Sequence, residues 1–154
     1  MQGTLLRKPA TAAKQDGLRK NPAFLLAQTA RLMRDRMSQA LRGTGLSAQE
    51  LTILRLLEHS GSMNQQELGA ACNLDKTTIT ELIDSLQATK LVRREVSTMD
   101  RRSKQISITA SGKRALTKAS KLAQAVEEEF VALLSDREWG TVQKALQKYL
   151  DDQT

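Results

Sequence analysis

Apolar residues recur every three or four positions over most of the chain, which is the spacing of an amphipathic helix. The first such run starts after Asn21-Pro22, where asparagine can cap a helix and proline fits the first turn. The run ends at Gly43 and Gly45. Its apolar positions are Leu26, Ala30, Met33, Met37 and Leu41. The pattern predicts a first helix over this segment.

Three more helices are predicted at short intervals. Ser47 and Glu50 form a capping box for helix two, and Asn64 and Glu67 repeat it for a short helix three. Either Asp75 or Thr77 can cap helix four after the turn at Asn73-Leu74. The apolar faces are Leu51, Leu54 and Leu57, then Leu68, Ala71 and Cys72, then Ile79, Leu82, Ile83 and Leu86.

The apolar period changes to two after Lys90. Val92, Arg94 and Val96 alternate with Arg93 and Glu95, and the segment 105–109 shows the same alternation. Such alternation is typical of strands. We therefore expect a β-hairpin whose tip is the loop from Ser97 to Lys104.

Two helices are predicted to close the chain, one opened by Ser111-Gly112 and one capped by Ser135-Asp136. Together with helix one, these two helices carry more apolar surface than a small domain needs to cover its core. A large unused apolar surface on a protein favours a partner, so we expect a homodimer. The positions are Ala115, Ala119, Leu122, Val126, Phe130 and Leu133, then Trp139, Val142, Leu146 and either Tyr149 or Leu150.

Positive charge is concentrated in two stretches. The chain has 154 residues, enough for one core, and a formal net charge of +7. Residues 1–20 hold five basic residues and one acidic, and residues 90–104 hold six basic and two acidic, so each stretch carries +4. The remainder carries −1. Local basicity of this kind indicates an anionic partner rather than a general aid to solubility.

Several function classes are disfavoured by what the sequence contains. One cysteine and one histidine cannot form an intramolecular disulfide or a structural zinc site. No glycine-rich phosphate loop or catalytic cluster is evident, so we expect no enzyme, no cofactor and no metal. Nothing resembles a signal peptide or a membrane span of about 20 apolar residues, so a cytoplasmic protein is expected.

Two short capped helices, a tight turn and a basic hairpin together predict a winged helix-turn-helix. The expected fold class is mostly α with minor β: the winged motif, a two-stranded hairpin as its wing, and a helical dimerisation region. A helix fits the major groove of B-form DNA, and a hairpin can reach the neighbouring minor groove or backbone. Double-stranded DNA is therefore the expected partner.

Spaced motifs in the same order as in a known family support this interpretation. The run from Asp100-Arg101-Arg102 to Ile108-Thr109 and Gly112 resembles an Asp-x-Arg, Leu-Thr, Gly pattern. Upstream, residues 74–86 and the run Leu91-Val92-Arg93-Arg94 are similar to its recognition helix and first strand. The chain thereby resembles the MarR family of bacterial regulators over roughly residues 24–150.

The resemblance implies roles for the wing. Arg102 would enter the minor groove, with Asp100 holding its guanidinium by a charge-assisted pair. Arginine is weakly hydrated and suits the negative potential of a narrow minor groove. Arg101 and Lys104 would contact phosphates.

Helix four is the predicted recognition helix. If its apolar face is buried, Thr77, Glu81 and Asp84 point outward, with Thr78 and Thr80 on the flanks. We expect DNA contacts from Lys76, Thr77, Thr78, Thr80 and Glu81, although Thr77 can equally serve only as a cap. One basic and three acidic residues give this helix a charge of −2, and Glu81 and Ser85 stand where the family often has basic residues. The wing and the arm should then supply the salt-dependent affinity, while Glu81 could accept from a cytosine amino group.

The predicted organisation is a basic arm over 1–20, a dimerisation helix over 21–46, a DNA-binding domain over 47–110 and C-terminal dimerisation helices over 111–154. The resemblance implies a repressor that a small molecule, such as a phenolic or aromatic acid, releases from a pseudo-palindromic operator. Four arginines could neutralise such an acid, and the sequence does not choose between them. They are Arg31, Arg34, Arg36 and Arg55.

Two other binding functions compete with this one. A single-stranded nucleic-acid binder would need aromatic platforms among its basic residues. The four aromatic residues lie elsewhere, at Phe24, Phe130, Trp139 and Tyr149. A winged-helix module that binds protein would be favoured if no DNA site could be selected.

Overall fold

The computed structural model describes residues 17–96 and 104–152. The chain divides into two units, one ending at Arg36 and the other beginning at Met37. Among the described helices, none has both the length and the apolar character needed to cross a membrane.

Helices dominate the described part of the chain, as the apolar spacing predicted. A short 3₁₀ turn, Leu18–Lys20, precedes the first of them. The helices are α1 Pro22–Ala40, α2 Ala48–Ser60, α3 Gln65–Cys72, α4 Lys76–Ala88, α5 Ala110–Val131 and α6 Asp136–Asp151. The strands are β1 Met63–Asn64, β2 Val92–Val96 and β3 Lys104–Ile108. The mostly helical fold class is confirmed.

The sheet has three strands, whereas the sequence predicted two. β3 lies in the centre and pairs antiparallel with both neighbours, in the order β1-β3-β2. Met63 pairs with Ile106 and Asn64 with Gln105. A strand of two residues is too short to show a period-two pattern, and Asn64 is also the N-cap of α3. The sequence therefore indicated only the helix cap at Asn64 and not the strand that ends there.

The core of the unit that begins at Met37 lies between α2, α3, α4, the sheet and the first half of α5. Most predicted apolar faces point into it, with Leu82 half-buried at its edge. Helix α3 differs, because Ala71 is exposed and Gly69 is buried in its place. The fully buried large side chains are Leu41, Ile53, Leu54, Leu57, Leu68, Ile83, Leu86 and Ile106.

Helix α5 begins earlier than the predicted Ser111-Gly112 start. Thr109 is its N-cap, and the Thr109 hydroxyl accepts a hydrogen bond from the Gly112 N–H. The same hydroxyl donates toward the carbonyl oxygen of Lys90, at 2.8 Å. Thr109 therefore joins the end of the hairpin to the long helix. The prediction placed it in the strand because its alternation continues that of β3.

The last helix leaves much of its apolar stripe exposed. Trp139 is half-buried and packs edge-on against Phe130, with ring centroids 6.1 Å apart. Farther along α6, Leu146 and Tyr149 keep 40% and 67% of their surface exposed. In the unit that ends at Arg36, Leu26 is also exposed. These faces contribute little to the core of the single chain.

Candidate nucleic-acid interface

A tight turn sets α3 against α4. Asn73 adopts a left-handed conformation at φ 51° and ends α3, which asparagine tolerates better than most residues. The Leu74 N–H donates to the Gly69 carbonyl oxygen at 2.9 Å. A Cβ at Gly69 would lie 3.5 Å from Ile79 Cγ2, an ordinary van der Waals contact, so this part of α3 packs directly against α4. This turn fixes where α4 begins.

Asp75, not Thr77, caps α4. Its Oδ1 accepts from the backbone N–H groups of Thr77 and Thr78, both at 2.9 Å. Hydrogen bonds from the backbone and side chain of Thr78 hold the pKa of the Asp75 carboxyl below its ordinary value. One of two alternatives left open by the sequence is thereby decided. The side chain of Thr77 is exposed and is not required as a cap.

The hydroxyls of the two flanking threonines are engaged within the protein. Thr78 Oγ1 donates to Asp75 Oδ2 at 2.7 Å. Thr80 Oγ1 donates to the Lys76 carbonyl oxygen and accepts from Gln65 Nε2, both at 2.6 Å. Their methyl groups can still contact a base, and the hydroxyl oxygens can still accept a hydrogen bond, but donating one to a phosphate or a base would require rearrangement. Gln65, at the start of α3, is a structural contact that the sequence did not reveal.

The outward face of α4 carries less free negative charge than the sequence suggested. Asp75 is committed to the cap, and Asp84 forms an ion pair with Arg94, with Oδ1 and Nη2 2.6 Å apart. Lys76, Thr77 and Glu81 remain exposed. The face available to a groove therefore has one cation, one hydroxyl and one carboxylate.

Ser85 holds α4 in place. Its hydroxyl donates to Glu50 Oε1 at 2.7 Å, and the other oxygen of Glu50 accepts from the Ser47 N–H at 2.8 Å and from its hydroxyl. Glu50 is 7% exposed. Three hydrogen bonds compensate a buried carboxylate. The serine at a position often basic in the resembled family thus serves to anchor the helix.

The hairpin supports the predicted wing only in part. Strands β2 and β3 pair from Val92 opposite Ile108 to Val96 opposite Lys104. Lys104, predicted in the loop, is the exposed first residue of β3. Asp100, Arg101 and Arg102 lie outside the described residues, so their predicted contacts stay predictions.

A cleft of about 500 Å³ opens between α3 and the start of α4. Gly69, Ala70, Leu74 and Ile79 form its apolar part. Gln65, Gln66 and Lys76 supply polar groups. Lys76, the exposed first residue of α4, is part of this lining.

Comparison with known proteins identifies the family. The family model described as "MarR family" matches residues 46–104, from the start of α2 to the wing. The HTH-type transcriptional regulator MhqR of Bacillus subtilis is 30% identical over 115 residues, which cover 75% of this chain and 79% of MhqR. The chain belongs to the MarR family. It is therefore a DNA-binding transcriptional regulator, as the spaced motifs implied, and not an enzyme.

Solved structures of MarR-type regulators share its fold. CouR from Rhodococcus jostii RHA1, bound to p-coumaroyl-CoA, is 28% identical, with a TM-score of 0.78 over 86% of this chain and 93% of that one. A MarR family regulator from Rhodococcus sp. RHA1 is 26% identical, with a TM-score of 0.79 and coverage of 86% and 95%. The DNA complex of S. aureus MepR, 21% identical, matches in fold with a TM-score of 0.77 over 87% and 97%.

Three side chains that hold α4 in place through contacts within the protein escaped sequence reasoning. Gln65 bonds Thr80, which lies 15 residues away along the chain. Glu50 bonds Ser85, 35 residues away. Arg94 contacts Gln87 and Asp84, 7 and 10 residues away. The capping box did reveal Glu50 as the N3 residue of α2, but not its bond to Ser85. Such pairs depend on how the elements pack together, and the local spacing of residues in the sequence does not reveal that packing.

Proposed function

We propose that this chain is a homodimeric repressor that binds a pseudo-palindromic operator and releases it when a small-molecule effector binds. The groove contacts come from Lys76, Thr77 and Glu81, with the methyl groups of Thr78 and Thr80. The wing contributes through Asp100, Arg101, Arg102 and Lys104. Such a regulator works where the chromosome is, in the cytoplasm.

The observation that carries the proposal is the capped, outward-facing α4. Its apolar side is buried against the core, its N-terminus is fixed by Asp75, and three polar side chains face solvent at its start and middle. A helix presented in this way fits the major groove. The MepR complex with DNA has the same fold.

Exposed apolar residues support the homodimer. Val142, Leu146 and Tyr149 lie at helical spacing on α6, and each retains at least 36% of its surface exposed. Burying such a stripe against a second copy would remove it from water. Two-fold symmetry would then present two recognition helices to two half-sites.

The effector is proposed from relatives. CouR binds p-coumaroyl-CoA, and a Bordetella bronchiseptica regulator of the same fold is regulated by 6-hydroxynicotinic acid. Aromatic acids and their thioesters are therefore the first class to screen. Arg55 is a weaker anchor than the sequence allowed, because its guanidinium pairs with Glu127 at 3.2 Å.

An unbiased duplex selection tests the proposal. A dimer should enrich two inverted half-sites about one helical turn apart, roughly 10 base pairs between centres. The same duplex then serves to screen aromatic acids for release. Enrichment of a single half-site, bound by one copy, would contradict the dimeric arrangement. Failure to enrich any site would favour the protein-binding alternative.

A further inference from the structure

One side chain fastens the first strand of the wing to the recognition helix. Arg94 Nη2 lies 2.6 Å from Asp84 Oδ1, and Nη1 donates to Gln87 Oε1 at 2.9 Å. Only 23% of the Arg94 side chain is exposed. The planar guanidinium can address two acceptors at once, which a lysine cannot do in the same geometry. Arg94 therefore contacts α4 at two positions about one turn apart, Asp84 and Gln87.

Asp84 sits where a carboxylate is unfavourable for DNA binding. Residues 77, 81 and 84 follow one another at spacings of four and three, so they share one face of α4. Thr77 and Glu81 on that face are exposed, and the Asp84 side chain is 56% exposed. A free carboxylate there would repel phosphates. The pair with Arg94 offsets that charge.

We propose that Arg94 is a positioning residue for DNA binding. It neutralises Asp84 on the face presented to DNA and holds β2, which leads directly into the wing, at a fixed place against α4. It acts through Asp84 and Gln87 and not through a phosphate. This inference rests on the proposed function, since it concerns the same recognition helix and wing.

The neighbouring arginine provides a matched control. Arg93 lies on the same strand, and its guanidinium pairs with Glu95 of that strand at 3.3 Å and donates to Ser107 of β3 at 3.0 Å. Neither contact reaches α4. Arg93→Gln and Arg94→Gln remove the same charge at adjacent positions. An excess effect of Arg94→Gln therefore measures the link to the helix.

A double-mutant cycle tests the proposal on a duplex selected by the wild-type chain. Arg94→Gln should weaken binding about tenfold or more, and Arg93→Gln by no more than about threefold. Adding Asp84→Asn should recover most of the loss in Arg94→Gln and give no such recovery in Arg93→Gln. Equal effects of the two arginines, or equal effects of Asp84→Asn in both backgrounds, would overturn the proposal.

The salt dependence of binding separates positioning from direct contact. A residue that neutralises a phosphate lowers the slope of log Kd against log salt by about one when it is removed. The slope of Arg94→Gln should match that of Arg93→Gln. A slope lower by about one for Arg94→Gln alone would identify a phosphate contact and overturn the inference.

A second variant keeps the test decisive if Arg94→Gln folds poorly. Arg94→Lys retains the charge and the pair with Asp84 but can no longer bond both acceptors in the same geometry. Its affinity should fall between wild type and Arg94→Gln; affinity no better than Arg94→Gln would count against neutralisation of Asp84. If the wild-type chain selects no duplex, the proposed function fails. If it selects one and the cycle shows no coupling, only the role of Arg94 fails.

Discussion

At the scale of single residues, the link between the hairpin and α5 shows why a short motif has its composition. The Thr109 hydroxyl bonds both the Lys90 carbonyl oxygen and the Gly112 N–H. A Cβ on Gly112 would lie 2.1 Å from the Leu91 carbonyl oxygen and 2.7 Å from Ile108 Cγ1. The Leu91 backbone cannot move aside as easily as a flexible side chain could. Glycine is therefore required at position 112 by the close approach of these atoms, whereas the sequence predicted only a helix start there.

Gly112→Ala should destabilise the fold. The added methyl group must displace the Leu91 backbone or the start of α5, which we expect to cost about 2–3 kcal/mol in the free energy of unfolding. Urea denaturation followed by circular dichroism measures this.

Gly140→Ala is the matched control. Gly140 lies within α6, and its Cβ would meet nothing within 4 Å. Alanine there should stabilise the protein by about 0.5–1 kcal/mol through its higher helix propensity. If both variants shifted stability in the same direction, close packing at Gly112 would not be the reason for its glycine.

Arg102→Ala should weaken operator binding by at least roughly 1 kcal/mol, because a minor-groove arginine contact would be lost. Lys118→Ala, which removes an exposed cation from α5, controls for net charge. Affinity is measured in a salt titration on the selected duplex. Equal affinities for the two variants would remove Arg102 from the wing contacts.

At the scale of elements, α4 is set by its N-cap and by two side-chain links. Asp75 begins it, Ser85 joins it to the buried Glu50, and Asp84 joins it to Arg94 of β2. The sequence predicted the buried face of this helix and left its cap undecided between two residues. It could not supply either link, since both depend on neighbouring elements.

The cap of α4 should make stability depend on pH. The folded pKa of Asp75 lies below its ordinary value of 3.8, so the carboxylate stabilises the fold above the unfolded pKa. That contribution is lost as the pH falls through the folded pKa. Thermal unfolding of the wild type and Asp75→Asn should show the wild type losing stability relative to the variant below about pH 4. Asparagine caps a helix without titrating, so a constant difference from pH 7 to pH 3 would contradict this role.

At the scale of the whole molecule, the exposed stripe of α6 should hold two copies together. Leu146→Glu places a charge on that stripe and should shift the protein to monomers in sedimentation experiments, with weaker operator binding. Gln147→Glu, at the next exposed position of α6, is the control and should remain dimeric. A Leu146→Glu variant that stays dimeric would move the dimer surface elsewhere.

Local periodicity, helix caps and spaced motifs were enough to predict the six helices, the hairpin strands, the buried face of α4 and the family. The remaining features depend on how distant segments pack together. Strand β1 exists only because Met63 and Asn64 meet β3, and Ser85 and Arg94 acquire roles only where α4 meets α2 and β2. The free charge on the outer face of α4 also depends on tertiary structure, because Asp84 forms an ion pair with Arg94 of β2. The physical reason is that contacts between segments distant in sequence leave no signal in the local spacing of residues.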